Sequence, residues 1–165
     1  MGSPPATAYL TETAVFACGC FWSKEYFFSR ARGVLATRVG YTGGGVAHPT
    51  YNAVLTKTTG HAEAVEVQFD PTQTSFEELT RLFFTLHDPT IDRRSGGGQY
   101  RSAIFYTSDN QRLTAEAIVA EWQSQGHPIA TVLEPAGTFW PAEDRHQQYC
   151  DRHQITPRQY TKATH

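Results

Sequence analysis

The chain has little cysteine, no surplus of either charge and no long apolar run, and each shortage excludes a class of protein. Three cysteines in 165 residues are too few for a disulfide scaffold. In a reducing compartment, catalysis or redox chemistry is the better reason to keep them. With 14 Lys and Arg against 16 Asp and Glu, and no basic block, the electrostatic footprint of a nucleic-acid binder is missing. No apolar stretch approaches membrane-spanning length, and Met1-Gly2-Ser3-Pro4-Pro5-Ala6-Thr7 has neither a basic n-region nor an apolar h-region. The expected setting is the cytoplasm, away from membranes. A single residue separates Cys18 from Cys20, closer than zinc knuckles place their ligands, and no second Cys or His pair follows at ligand spacing. Gly43-Gly44-Gly45 and Gly96-Gly97-Gly98 precede no Lys-Ser or Lys-Thr, so they are flexible connections rather than phosphate loops.

What is present suits one ordinary domain with a sizeable core. Residues 1–12 read as a disordered or scar-containing arm, 13–150 as a single catalytic domain and 151–165 as a polar C-terminal tail. Thr13 to Ala17 is a β-prone run, and about Trp22 to Arg32 is helix-compatible and stopped by Gly33. Val34 to Val39 reads as a strand, and residues 40–51 as a long, tyrosine-bearing loop. Ala62 to Phe69 alternates as a strand does, and Ser75-Phe76-Glu77-Glu78 is a capping box opening a helix through Leu86. A strand over Tyr100–Thr107, a second capping box at Ser108-Asp109-Asn110-Gln111, a helix over Leu113–Gln125 and a strand over Ile129–Glu134 follow. The order predicts an α+β fold: a mixed sheet covered by helices mainly on one face. Its centre is a ferredoxin-like βαββαβ core with an extra αβ unit and an irregular C-terminal tail.

Two side chains invite a chemical reading. Cys20 closes an apolar strand-like run where a helix begins, and a helix N-terminus favours a thiolate, lowering the thiol below its ordinary value of about 8.5. A buried structural cysteine fits the same residues equally well. In the strand from Ala62 to Phe69, parity puts Glu63 on the apolar face with Val65, Val67 and Phe69. Facing inward, its carboxyl would be desolvated and keep a proton near neutrality. As a strand-end residue, it would instead escape to solvent.

A series of motifs resembles one family. Cys18-Gly19-Cys20-Phe21-Trp22, Val39-Gly40-Tyr41-Thr42-Gly43-Gly44, Pro49-Thr50-Tyr51, Thr59-Gly60-His61-Ala62-Glu63, His87-Asp88-Pro89 and Gln99-Tyr100-Arg101-Ser102-Ala103-Ile104 occur in this order. Phe139-Trp140, Ala142-Glu143-Asp144 and His146-Gln147-Gln148-Tyr149 complete it. Together they resemble the peptide methionine-S-sulfoxide reductases, type A, over residues 13 to 150. The resemblance implies that Cys20 attacks the sulfoxide sulfur while Glu63 gives its proton to the leaving oxygen. It further implies that Tyr51 and Tyr100 hydrogen-bond that oxygen, and that Phe21 and Trp22 cage the S-methyl group. The products are methionine and a sulfenic acid on Cys20. No metal or organic cofactor is implied. The reductant is an external thiol, either a thioredoxin-like protein or dithiothreitol, and the substrate is free methionine sulfoxide or an oxidised protein. A monomer is expected.

Three departures from the family pattern stand out. Cys18 occupies a usual glycine position. The connection Ile91-Asp92-Arg93-Arg94-Ser95-Gly96-Gly97-Gly98 is short and lacks the family's substrate-placing aspartate, a role not transferred to Asp92. Cys150 is the only late cysteine: it is either a resolver, if the tail folds over the site, or an inert residue on a terminal helix, and direct reduction of the sulfenic acid by the external thiol is the expected route. Two further readings remain on the same fold: a non-catalytic methionine-sulfoxide binding module, and a cysteine redox sensor.

Overall fold

The computed structural model describes residues 10–161. The expected N-terminal arm lies outside the described residues up to residue 9, and so does the tail from 162 onward. Six strands form one sheet: β1 (Glu12–Cys18), β2 (Val34–Thr42), β3 (Ala62–Phe69), β4 (Ser102–Tyr106), β5 (Val132–Pro135) and β6 (Trp140–Pro141). Their spatial order is β5-β4-β1-β3-β2-β6. The chain enters helices α1 (Phe21–Ser29), α2 (Tyr51–Leu55), α3 (Phe76–Thr85), α4 (Asp109–Ser124) and α5 (Tyr149–Arg152), with a 3-10 turn at Asp144–His146.

The middle four strands, β4-β1-β3-β2, are antiparallel neighbours, the arrangement of a βαββαβ core. The α4–β5 unit adds a parallel strand beside β4, and β6 pairs antiparallel with β2 on the opposite edge. The sheet is therefore mixed, as expected. Alternation along the strands sends Ala14, Phe16, Val65, Val67 and Ile104 into the main core beneath the helices. Phe16 stacks on Phe28 of α1 at 5.0 Å and on Phe83 of α3 at 5.3 Å. The other face carries a smaller cluster of Val15, Ala17, Ala62, Ala64, Ala103 and Phe105, closed by Phe139.

Local chemistry sets the boundaries. Ser75 accepts the Glu78 N–H and Ser108 accepts the Gln111 N–H, so α3 and α4 both start on hydroxyl caps. Ser108 caps α4 as its capping box predicts, and the helix begins directly behind it at Asp109, four residues before the expected Leu113. β2 runs three residues past the predicted Val39, because β3 and β6 supply partners on its two sides as far as Tyr41. Within the expected loop, the Thr50 hydroxyl accepts the Ala53 N–H and opens the short α2, which places Tyr51 at a helix start. The two glycine runs are tied down: Gly44 N–H donates to His61 Nδ1 at 3.0 Å, and Arg101 donates to the Gly98 carbonyl at 2.9 Å.

Candidate active site

Cys20 sits where β1 turns into α1. Gly19 adopts φ +115°, a conformation open to glycine alone at little cost, and this swings Cys20 out of the strand to become the N-cap of α1. Cys18, still in the strand, points into the core, and burial pushes its thiol up to about 12. The two thiols thus face different environments, one inert and one half-buried beside solvent.

The helix start does not by itself make Cys20 a thiolate. Burial raises its pKa most, and the negative charge of Glu63 adds to this, while backbone N–H groups of Trp22 and Ser23 and the Lys24 charge oppose them. The net direction is upward. The expected lowering by the helix N-terminus is real but smaller than the desolvation.

Glu63 points inward, 1% exposed, at the entrance of β3. Its Oε1 accepts the Phe21 N–H at 3.2 Å, and its Oε2 accepts the Gln99 Nε2 at 2.6 Å. The Glu63 N–H in turn donates to the Gln99 carbonyl at 2.9 Å. Burial raises the carboxyl pKa and outweighs these two donors. A buried carboxyl with a raised pKa is thus bonded to the first helical residue after Cys20, an arrangement able to keep a proton next to the thiol's turn.

Tyr51 and Tyr100 flank this pair. Charges on both Glu63 and Cys20 contribute to raising both phenols, after burial as the leading cause, and Tyr100 reaches about 12. Both therefore remain hydroxyl donors across the neutral range. Tyr100 is 38% exposed and lies in the turn just before β4, not within the strand. Phe21 is buried between Tyr41, Tyr51 and His146, so it backs the site, whereas the half-buried Trp22 presents its ring. Trp22 is held by Tyr149 stacked at 3.8 Å and by its Nε1–H donating to His146 Nδ1 at 3.0 Å.

Several supporting residues lie inside the recognised motifs but carried no assigned role. Glu143 accepts the Tyr41 hydroxyl at 2.8 Å and the Tyr51 N–H at 2.9 Å. Burial alone would raise its carboxyl, yet the hydrogen bonds prevail and hold it below the usual range. Gln99, His146 and Tyr149 complete the frame. The signal for them was the motif membership itself, since pattern and periodicity say nothing about side chains that meet from distant elements. Asp92 is spent on Arg94, 2.7 Å away on the surface. Cys150 is buried, and its thiol donates to the Trp22 carbonyl at 3.3 Å. No group of three or more His, Cys, Asp and Glu side chains among the described residues is arranged to hold a metal. No helix there is long and apolar enough to cross a membrane.

Residues 12–165 match the family model described as peptide methionine sulfoxide reductase. A curated peptide methionine sulfoxide reductase MsrA of Nitrobacter winogradskyi is 48% identical over 157 residues, covering 92% of this chain and 84% of the relative. The crystal structure of Mxr1 from Saccharomyces cerevisiae in reduced form is similar with a TM-score of 0.84 at 31% identity, over 99% of this chain and 96% of that one. Mxr1 in complex with Trx2 gives a TM-score of 0.64 at 27% identity, over the same 99% and 96%.

Proposed function

Because the chain belongs to the peptide methionine sulfoxide reductase family and is a thiol-dependent methionine sulfoxide reductase, we propose that Cys20 is its nucleophile and Glu63 its general acid. The observation that carries this reading is the bond from Phe21 N–H to the buried Glu63 carboxyl, which fixes an acid beside the Cys20 turn. The Cys20 sulfur attacks the sulfoxide sulfur. The thiol proton leaves as the S–S contact forms, and the oxygen gains a proton from Glu63. The S–O bond breaks and the hydroxyl passes to the Cys20 sulfur, leaving the thioether and a sulfenic acid. The proton released by the thiol restores the Glu63 acid. The thiol is oxidised and the sulfoxide reduced, with no other redox partner in this step.

Tyr51 and Tyr100 hydrogen-bond the sulfoxide oxygen as its negative charge grows. Their hydroxyls have no partner among the described residues, so both are free to donate. Trp22, backed by Phe21, meets the S-methyl group, and an apolar ring face prefers methyl to a polar group. The pairing of methyl on Trp22 and oxygen on the tyrosines selects one sulfoxide epimer, and the S epimer is the substrate, free or within oxidised proteins.

Recycling follows by thiol exchange. Cys150 condenses with the Cys20 sulfenic acid, releasing water and forming a disulfide, which an external dithiol then reduces. The complex of the related Mxr1 with Trx2 supports a thioredoxin-like protein as that dithiol. No metal or organic cofactor takes part, and residues 13–150 act as one catalytic domain, monomeric and cytoplasmic. Three free cysteines fit a reducing compartment. Turnover of each sulfoxide epimer with dithiothreitol and with thioredoxin tests substrate and reductant together: reduction of the R epimer alone overturns the assignment.

A further inference from the structure

Arg101 is a cation 8% exposed, and among the described residues no carboxylate lies within salt-bridge distance of it. Its guanidinium bonds only to main-chain carbonyls: Nη1 to Gly98 at 2.9 Å and Gly60 at 3.1 Å, and Nη2 to Gly43 at 3.4 Å. Burying a charge this way is costly, and neutral side chains would fill the space at less expense. The three carbonyls belong to three separate turns, and each turn leads to the site. Gly98 directly precedes Gln99, and Gly60 lies three residues before Glu63. Gly43 follows β2, whose Tyr41 is paired across the sheet with Glu63. The surrounding chain is shaped to the guanidinium. A Cβ on Gly43 would stand 2.6 Å from Nη2, and one on Gly98 would stand 2.9 Å from Nη1.

We infer that Arg101 is a positioning residue for the reduction step: its guanidinium joins the Gly60 and Gly98 turns and so sets the contact between the Glu63 carboxyl and the Gln99 carboxamide. This inference rests on Glu63 being the acid. A planar fork reaches several carbonyls at fixed angles, whereas a lysine ammonium is a point charge that does not reproduce the fork. In Arg101→Lys the turns separate by a fraction of an ångström, the main-chain and side-chain bonds between Glu63 and Gln99 lengthen, and the acid leaves its line to the sulfoxide oxygen. Misplacement on the order of 1 Å costs catalysis about 10²-fold.

The test measures kcat and KM for Arg101→Lys in the wild-type and Glu63→Gln backgrounds. The expected result is a fall in kcat of about tenfold or more with KM within about twofold in the first background, and less than about twofold change in kcat in the second, since residues acting as a unit are not additive. An equal fall in both backgrounds, or none in the first, overturns the inference. Should Glu63→Gln alone retain wild-type kcat, the acid assignment fails instead, which separates the two results. If Arg101→Lys does not fold, Arg101→Gln, which keeps a planar donor but is too short to reach all three carbonyls, is compared in the same two backgrounds with the same criterion.

Discussion

The Phe21 N–H donates to Glu63 Oε1 at 3.2 Å, so the carboxyl at the mouth of β3 is tied to the first residue of the helix that Cys20 caps. The Glu63 charge is one of those that raise the Cys20 thiol. The Glu63 carboxyl is raised by burial, and the protonated form is the one that can give a proton. Catalysis is accordingly present below the Glu63 pKa and lost as pH rises through it. Glu63→Gln should lower kcat about 10²- to 10⁴-fold, the usual range for a lost general acid, and remove that alkaline limb. In the same variant the Cys20 thiol should ionise at lower pH, because one of the charges holding it up is gone. Alkylation rates of Cys20 against pH read this directly, and an unshifted profile contradicts the coupling.

Glu143 bridges Tyr41 and Tyr51 from the C-terminal motif. Glu143→Ala leaves the buried Tyr41 hydroxyl without its partner, a cost of about 1–3 kcal/mol. It also frees the start of α2, where Tyr51 sits. The expected outcome is lower stability in urea together with reduced kcat/KM. Tyr41→Phe, which leaves Tyr51 anchored, should lose stability but keep most activity.

Expectation and structure agree on the strand pattern and part company over charges and partners. The alternation from Ala62 to Phe69 puts Glu63 on the apolar face but leaves open its escape to solvent at the strand end; the structure buries it. What parity leaves out is the donor set: Phe21 and Gln99 are 42 and 36 residues away and meet Glu63 only when the sheet forms. The same limit applies to Cys20. A helix start is readable and argues for a lowered pKa, but the degree of burial that reverses the sign depends on tertiary packing. Arg101 reads as an ordinary polar residue entering a strand, although three distant turns converge on it. The start of α2 at Tyr51 is hidden by the turn formers around it, despite the capping Thr50.

His87 is buried, with Nδ1 beside the Phe83 carbonyl at 3.0 Å and Nε2 beside the Ser102 hydroxyl at 2.7 Å. Burial depresses its pKa to about 4. A depressed pKa means that the unfolded chain takes the proton first. Its contribution to stability is therefore complete above about pH 6.5 and is lost as pH falls toward 4, amounting to about 3 kcal/mol at most. Urea midpoints between pH 7 and 4 should fall in the wild type and change less in His87→Gln.

Cys150 is held against the Trp22 carbonyl in the resting protein, so condensation with Cys20 requires α5 to leave its place. Exposing the reduced protein to one equivalent of sulfoxide, then trapping free thiols, should give a Cys20–Cys150 disulfide by peptide mass spectrometry. In Cys150→Ser the sulfenic acid should accumulate, while the first turnover proceeds at the wild-type rate. Sulfenic acid persisting in the wild type would remove Cys150 as the resolver.

The central assignment is Cys20, and its most direct measurement is single-turnover reduction of methionine S-sulfoxide in the absence of added thiol. Wild type and Cys18→Ala should each release one equivalent of methionine, Cys20→Ser none. One equivalent from Cys20→Ser would contradict the account.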